Sequence, residues 1–213
     1  MIADTVLKDL FNPTLISVGT NHYFGHKKEG NFEFLKAFCS DNNIELHTPD
    51  MRKHMGSTIS SSLIRSLILD GNSSKVYDYL GRFYGFNATV VSGSNRGKKM
   101  NYPTANFIPT FENQLIPSTG VYLTRVFLDG KCYFGMMNAG VRPTFNEKKF
   151  VMEVHILSDK FGHLYDKNFY IEFLDKIRDE KKFDSKELLI KQIEKDKEVC
   201  IELIDTFKEK YEI

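Results

Sequence analysis

Residues 93–106 read GSNRGKKMNYPTAN and follow Phe86–Ser92, an apolar alternating run with the pattern of a β-strand. Glycine accepts backbone conformations and close approaches that other residues resist. Successive exposed N–H groups in such a loop can form a concavity for an anion. The basic side chains of the stretch, Arg96, Lys98 and Lys99, add positive charge. The stretch therefore predicts a phosphate-binding loop that joins two extended segments.

This loop differs from the P-loop of nucleotide hydrolases. A P-loop has the pattern Gly-x-x-x-x-Gly-Lys-Ser/Thr and is followed by a helix. Here Gly93 and Gly97 are one residue too close, and an extended segment is expected after them. Glycine- and lysine-rich turns are also common without a ligand. The residues alone leave both interpretations open, a phosphate loop and a plain basic hairpin.

The end of the same stretch offers two oxygen donors. Pro103 fixes the backbone just before Thr104 and Asn106. Alternate residues of an extended segment project from the same face, so the hydroxyl and the amide are expected side by side. Hard oxygen ligands of this kind suit Mg²⁺ shared with nucleotide phosphates. We therefore predict a Mg²⁺ site at Thr104 and Asn106.

Short runs rich in β-branched and aromatic residues continue along the chain, separated by turn signals. Asp129-Gly130 is a tight hairpin marker, and Gly140–Pro143 is interpreted as a second turn. Several short strands with turns between them predict a small, closed antiparallel barrel. Besides Phe86–Ser92, the runs are Gly120–Leu128, Cys132–Asn138, Phe150–Leu157 and Asn168–Leu174.

The segment before Gly81 has a different pattern. Thr14–Gly19 and Ile44–His47 are predicted as strands, and Asn31–Ser40 and Thr58–Gly71 as helical segments. Strand and helix in alternation indicate an α/β unit. The predicted fold class is therefore α+β, with domains at 1–81 (α/β) and 82–213 (barrel).

Two further candidate sites precede the barrel. Ser60 and Ser61 begin a predicted helix with Arg65 one turn on, and a serine-rich helix start can hold a phosphate. A plain helix cap and a solvated arginine explain the same residues, and composition favours them. His22 and His26 have no nearby carboxylates or cysteines to complete a metal site. We interpret them as surface residues.

A terminal helix is predicted after the last strand. Asp184 and Glu187 have the spacing of a capping box. An apolar stripe follows, interrupted by charged residues that are expected to face outwards. The helix should therefore pack on the barrel. The stripe consists of Leu189, Ile193, Cys200, Leu203, Ile204 and Phe207.

Composition excludes several classes of protein. The net charge of +1 gives no reason to expect a nucleic acid or a membrane surface as partner. The 3 cysteines have no paired spacing, which argues against a disulfide scaffold or a zinc site and for a reducing compartment. No apolar stretch approaches the roughly 20 residues of a membrane span. These features predict a cytoplasmic protein, and they indicate no oligomeric state.

Glu153 interrupts an otherwise apolar strand. Glu153 and His155 share one face of that strand, and Met152, Val154 and Ile156 share the other. A carboxylate that faces an interior costs several kcal/mol unless it is paired or put to use, which makes Glu153 a candidate general base. The alternative is an edge strand on which Glu153 and His155 are both exposed to water.

These motifs resemble the riboflavin kinase domain of bacterial bifunctional riboflavin kinase/FAD synthetases, from Gly81 to the end of the chain. Residues before Gly81 resemble the tail of that family's FMN adenylyltransferase module, through Val18–Gly25 and Ile59–Arg65. The kinase resemblance rests on Gly81–Tyr84, Gly93–Lys99, Pro103–Asn106, Gly120–Tyr122, Asn138–Thr144, Glu153–His155 and Arg178–Ser185.

The resemblance implies a six-stranded barrel that transfers the γ-phosphate of ATP to the 5′-hydroxyl of riboflavin, giving FMN. It implies that Glu153 accepts the hydroxyl proton and that Thr104 and Asn106 position Mg²⁺. Phosphoryl transfer needs positioning and charge stabilisation more than covalent participation. The implied ligand contacts are Gly93, Lys98, Lys99, Thr104, Asn106, Ile156, Ser158 and Tyr165 for ATP, and Arg178, Lys181 and Phe183 for the flavin.

The sequence also departs from the family. It lacks the family's Gly-x-Phe-Asp-Gly-x-His-x-Gly-His motif, and the usual acidic residue after the Val-Gly strand is Asn21. We therefore expect FMN adenylyltransferase activity to be absent or crippled in this chain alone. Two other hypotheses stay open: a flavin-binding module without turnover, and a fragment or one partner of a split bifunctional enzyme.

Overall fold

The structure, a computed structural model, describes residues 3–19, 21–50, 52–54, 56–93, 97, 100–143, 148–158 and 167–211. The chain divides into two compact units, Met1–Ile59 and Ser60–Ile213. Each unit has its own sheet structure. All of the residues that the sequence places at the kinase site belong to the second unit.

A small parallel sheet forms the centre of the first unit. Strands β1 (Leu15–Ser17) and β2 (Glu45–His47) pair in parallel, and helix α1 (Phe32–Asp41) connects them as predicted. Asn31 caps α1, because its side chain accepts a hydrogen bond from the Phe34 N–H at 2.8 Å. The unit also contains a π-helix at Ala3–Phe11, a 3₁₀-helix at His26–Lys28, and the paired strands β3 (Lys53–His54) and β4 (Ser57–Thr58).

The second unit is built on a closed six-stranded barrel, which confirms the predicted fold. The strand order around the barrel is β10-β5-β6-β9-β8-β7, and neighbouring strands are antiparallel. Closure leaves no free sheet edge in the barrel. The strands are β5 (Tyr84–Val91), β6 (Ala105–Pro109), β7 (Gly120–Leu128), β8 (Lys131–Pro143), β9 (Lys148–Ile156) and β10 (Asn168–Arg178).

The register of the strands sets a row of outward side chains around the barrel. Asn106 of β6 lies opposite Glu153 of β9, which in turn lies opposite Asn138 of β8. The row continues through Val121 of β7 to Arg178 of β10. The alternate, inward side chains fill the barrel, among them Phe86, Phe107, Tyr122, Met137, Met152, Val154 and Ile171.

The described residues of the second unit also form the helices α2 (Ser61–Leu69), α3 (Ser73–Leu80) and α4 (Lys186–Tyr211). As predicted, α4 packs on the outer face of the barrel, where Cys200 and Phe207 join a second apolar cluster with Val121, Leu123 and Leu174. Within the described ranges, no helix is both long enough and apolar enough to cross a membrane.

Two details of α4 differ from the prediction. The cap is Ser185 and not Asp184, because the Ser185 hydroxyl accepts from the Leu188 N–H at 3.2 Å and the helix begins at Lys186. The charged residues also do not all face outwards, since Asp196 is only 3% exposed. A buried carboxylate needs a partner, and Asp196 finds one on β10.

The turn predicted at Gly140–Pro143 is wrong. Those residues are the end of β8, and they pair with β9. Glycine is needed at position 140 because a side chain has no room there. A Cβ would contact the Glu180 carboxylate and lie 3.1 Å from Glu180 Cδ. The same carboxylate accepts a hydrogen bond from the Val141 N–H at 3.1 Å. Glycine therefore marks a close approach rather than a change of chain direction.

Helix α3 packs on the barrel, and α2 packs on α3. The Tyr77 ring of α3 lies 4.6 Å from that of Phe83 and 4.4 Å from that of Tyr211, and Val76 is fully buried. Gly81, where the sequence places the domain boundary, is the left-handed C-cap of α3 with φ 70°. The division at 1–81 and 82–213 stays a prediction that truncation can test.

We expect the free energy of unfolding of residues 60–213 to exceed that of residues 82–213 by about 2 kcal/mol or more. Removal of α3 would expose to water the apolar residues that pack on Val76 and one side of the Phe83 ring. Urea unfolding of the two proteins, followed by circular dichroism, measures the difference. Equal midpoints and equal slopes would contradict this expectation and place the boundary at Gly81.

Candidate functional site

Glu153 and Thr104 meet on the outside of the barrel. The Thr104 hydroxyl donates a hydrogen bond to Glu153 Oε2 at 3.0 Å, and Glu153 is half-buried. Met152 and Val154 point the other way and are 3% and 1% exposed. The interpretation of Glu153 as interior-facing is therefore wrong. The edge-strand alternative is also wrong, because β9 lies between β6 and β8.

Two asparagines flank Glu153 on the same face. Asn106 is its register neighbour on β6 and Asn138 its neighbour on β8, and directly opposed residues on neighbouring strands have Cβ atoms about 5 Å apart. Sequence reasoning noted Asn138 only within a shared motif and gave it no role. Strand pairing is the signal that would have found it, since Asn138 sits opposite Glu153 across the β8–β9 ladder.

Gly93 and Gly97 lie against the two predicted metal ligands. A Cβ at Gly93 would lie 2.6 Å from Asn106 Cγ, and a Cβ at Gly97 would lie 2.9 Å from Thr104 Oγ1. Gly97 also closes a turn, because its carbonyl accepts from the Met100 and Tyr102 N–H groups, each at 2.9 Å. Both glycines therefore permit close contact with the site. Arg96, Lys98 and Lys99 lie outside the described residues.

His155 holds the chain just before Thr104. Its Nδ1 lies 2.9 Å from the Pro103 carbonyl oxygen; since a carbonyl only accepts, the ring nitrogen is the donor. The Tyr102 ring packs edge-on against the imidazole at 5.5 Å between centroids. Burial lowers the pKa of His155, and the nearby charge of Lys197 lowers it too. The hydrogen bond to Pro103 raises this pKa, but the net shift is downwards. The contact joins β9 to the entry of β6.

The residues around Glu153 suit a hard cation. Because the Thr104 hydrogen is donated to Glu153, the lone pairs of Oγ1 remain for a ligand. The Asn106 amide nitrogen lies towards Gly93, which turns the amide oxygen away from that glycine. The part of the chain that the structure describes contains no group of three or more His, Cys, Asp or Glu side chains arranged to hold a metal. A few protein oxygens plus substrate phosphates are the usual environment of Mg²⁺.

The residues that the resemblance assigns to the nucleotide fall in different places. Ser158 is exposed just after β9. Ile156 points into the barrel core and is 6% exposed, so a contact with a ligand on the outer face would come from its backbone. Tyr165 lies outside the described residues. The assignment of these three residues stays a prediction.

At the Arg178 end of the outward row, two of the residues assigned to the flavin, Lys181 and Phe183, line an open groove. Its volume is about 360 Å³, within the range of small-molecule sites. Arg178 lies beside it, with its guanidinium 5.8 Å from the centre of the Phe183 ring. The groove is lined by Lys181, Lys182, Phe183, Asp184, Leu188, Lys191, Gln192 and Lys195.

Comparison with protein families gives two matches. Residues 80–204 match the family model described as riboflavin kinase, and residues 2–63 match the model described as FAD synthetase. The kinase match covers the barrel and most of α4, including Thr104, Asn106 and Glu153. The second match covers most of the first unit and reaches into α2.

Individual proteins give the same family. The chain is 31% identical to the bifunctional riboflavin kinase/FMN adenylyltransferase of Pseudomonas fluorescens and 34% identical to that of Haemophilus influenzae, in each case over 87% of this chain and 59% of the relative. The chain thus spans less than two thirds of the length of these relatives. A solved structure of a macrolide-efflux protein from Streptococcus pneumoniae matches with a TM-score of 0.81 and 31% identity, over 93% of this chain and 63% of that one. With its barrel and its site residues inside the matched range, this chain belongs to the riboflavin kinase family.

Proposed function

We propose that this chain is a riboflavin kinase, which transfers the γ-phosphoryl group of ATP to the 5′-hydroxyl of riboflavin and releases FMN and ADP. The observation that carries the proposal is the Thr104–Glu153 hydrogen bond of 3.0 Å, beside Asn106 and next to Gly93 and Gly97. The carboxylate, the oxygen ligands and the loop are the parts that phosphoryl transfer requires. A reaction of this kind that consumes ATP belongs in the cytoplasm, which we propose as its location.

Each residue has a role that its position supports. Glu153 accepts the proton of the riboflavin hydroxyl as the phosphoryl group moves to that oxygen. Thr104 and Asn106 would hold Mg²⁺, which when bound neutralises charge on the nucleotide phosphates. Gly93 and Gly97 lie against Asn106 and Thr104, where a loop that contains them can cover the phosphates. Asn138 occupies the other side of Glu153 and can orient the incoming hydroxyl.

The flavin residues and the catalytic residues share one row of the barrel. Arg178 and Glu153 lie in that outward row, joined through Val121 and Asn138. A ring in the groove beside Arg178 and Phe183 would therefore lie along the same row as Glu153.

The test is an assay of the purified chain with riboflavin, ATP and Mg²⁺, with flavins separated by chromatography. We expect FMN to form only when all three are present, and to stop forming when EDTA is added. A parallel reaction with FMN and ATP tests for FAD. If no FMN forms in the first reaction, the proposed kinase activity is contradicted, and a flavin-binding module without turnover is favoured.

The metal role predicts a selective defect for Asn106→Ala. We expect the Mg²⁺ concentration needed for half-maximal activity to rise about tenfold or more, because one oxygen ligand is lost, while the KM for riboflavin stays within about twofold. The matched control is Asn87→Ala on β5, an exposed asparagine of the same barrel. Equal changes for Mg²⁺, ATP and riboflavin would point to a folding defect and against metal binding at Asn106.

A further inference from the structure

Asp196 is a buried charge that the reaction described above does not use. It lies in the middle of α4 and is 3% exposed, and a carboxylate in such a place is costly unless it is paired and fully hydrogen-bonded. Its partner is Arg178, at the end of β10. The Arg178 Nε lies 2.9 Å from both Asp196 oxygens, and Nη2 lies 2.7 Å from Oδ2.

Further contacts fix the same pair. Gln192, one turn earlier in α4, donates to Asp196 Oδ1 at 2.8 Å. The Arg178 Nη1 donates to the Asp179 carbonyl oxygen at 3.0 Å. The guanidinium is therefore held from two sides, by α4 and by the backbone that follows β10. A planar guanidinium group that is held from two sides has one defined orientation.

The orientation leaves part of the guanidinium for a ligand. Arginine has five N–H donors, and the contacts with Asp196 and Asp179 engage three of them among the described residues. The ring of Phe183 lies 5.8 Å from the guanidinium, and Phe183 and Gln192 both line the groove. The guanidinium therefore keeps N–H groups for a ligand and lies beside an aromatic ring that lines the groove. A flat heteroaromatic ring with carbonyl acceptors could stack on the aromatic ring and accept hydrogen bonds from the guanidinium.

We propose that Asp196 is a positioning residue for riboflavin: it holds the Arg178 guanidinium in the plane that contacts the flavin ring in the groove. The inference rests on the proposed kinase function and extends it to a residue in α4 that does not touch the substrate. A structural role alone would lower stability without selecting between the two substrates. A positioning role changes riboflavin binding and leaves ATP binding intact.

The test compares Asp196→Asn with Asp205→Asn, a carboxylate on the same helix whose side chain is 81% exposed. Riboflavin binding is measured directly by quenching of flavin fluorescence, and the KM values for riboflavin and ATP by steady-state kinetics. For Asp196→Asn we expect the riboflavin Kd and KM to rise about tenfold or more, with the ATP KM within about twofold. Asp196→Glu, which keeps the charge, should recover most of the riboflavin affinity, and Asp205→Asn should match the wild type.

Thermal unfolding shows whether each variant is folded. If Asp196→Asn is not folded, Gln192→Leu takes its place, because it removes one hydrogen bond to Asp196 and keeps the ion pair. Since Gln192 also lines the groove, Lys191→Leu, a change to the neighbouring groove residue, is its control. A rise in the riboflavin Kd is expected that exceeds the rise for Lys191→Leu. A folded variant that binds riboflavin like the wild type overturns the inference, and so does an equal loss for ATP and riboflavin. Wild-type protein that binds riboflavin without making FMN would instead count against the proposed function alone.

Discussion

Glu153→Gln should fold like the wild type and lose kinase turnover by a factor of about 10² or more. The amide keeps the size of the side chain and can still accept from the Thr104 hydroxyl, a contact of 3.0 Å in the structure. It cannot take the proton of the riboflavin hydroxyl. The loss should therefore fall on kcat, and the KM values for ATP and riboflavin should change little.

Glu172→Gln is the matched control, because Glu172 is also a glutamate on an outer barrel face. Its carboxylate accepts from Arg125 Nε at 3.0 Å, and both side chains of that ion pair are 14% exposed. Its loss should lower the thermal midpoint and leave kcat near the wild-type value. Turnover of Glu153→Gln within a few-fold of the wild type would remove Glu153 from the mechanism.

The barrel itself could be predicted from the sequence, because its strands have local signals. Gly120–Leu128 was predicted with the bounds that the structure has, since a turn signal and a glycine delimit it. Other strands extend further than predicted: β10 continues to Arg178 across irregular pairings with β7. A local pattern ends where apolar residues become polar, but a strand ends where its hydrogen-bonding partner ends.

The orientation of Glu153 could not be predicted from the pattern of β9. The inner face of β9 fills the barrel, and Leu157, the residue directly after the strand and in phase with its outer face, packs in the cluster under α4, so both faces of the run carry apolar residues. Alternation therefore gives two sets of residues without saying which set is inside. The proximity of Glu153 to Thr104 was expected through the family resemblance, and the strand register supplies its physical cause.

The importance of Asp196 was also hidden from local analysis. In the sequence it is one charged residue among many on α4, and its partner Arg178 is 18 positions earlier. An ion pair of this kind depends on how the helix packs against β10. The same holds for Gly140, whose function depends on the Glu180 carboxylate from a distant segment.

Gly97→Ala should reduce kcat/KM for ATP about 10²-fold, which is the effect of a displacement of about 1 Å in a catalytic group. The new methyl group would collide with the Tyr102 carbonyl and lie 2.9 Å from Thr104 Oγ1. A backbone carbonyl cannot move aside as a side chain can. The segment that carries Thr104 must therefore shift away from Glu153. Steady-state kinetics at saturating Mg²⁺ measures the loss.

Gly130→Ala separates this displacement from a general effect of replacing glycine. Gly130 lies in the β7–β8 hairpin with φ 72° and no heavy atom near its potential Cβ, so alanine there should lower stability by about 1 kcal/mol through backbone strain and leave kcat/KM unchanged. Gly93→Ala should fall between the two, because it meets the Asn106 side chain, which can rotate away at a cost to metal binding. If Gly97→Ala and Gly130→Ala lose equal stability and both keep full activity, the loop does not position Thr104, and the nucleotide phosphates must be held elsewhere.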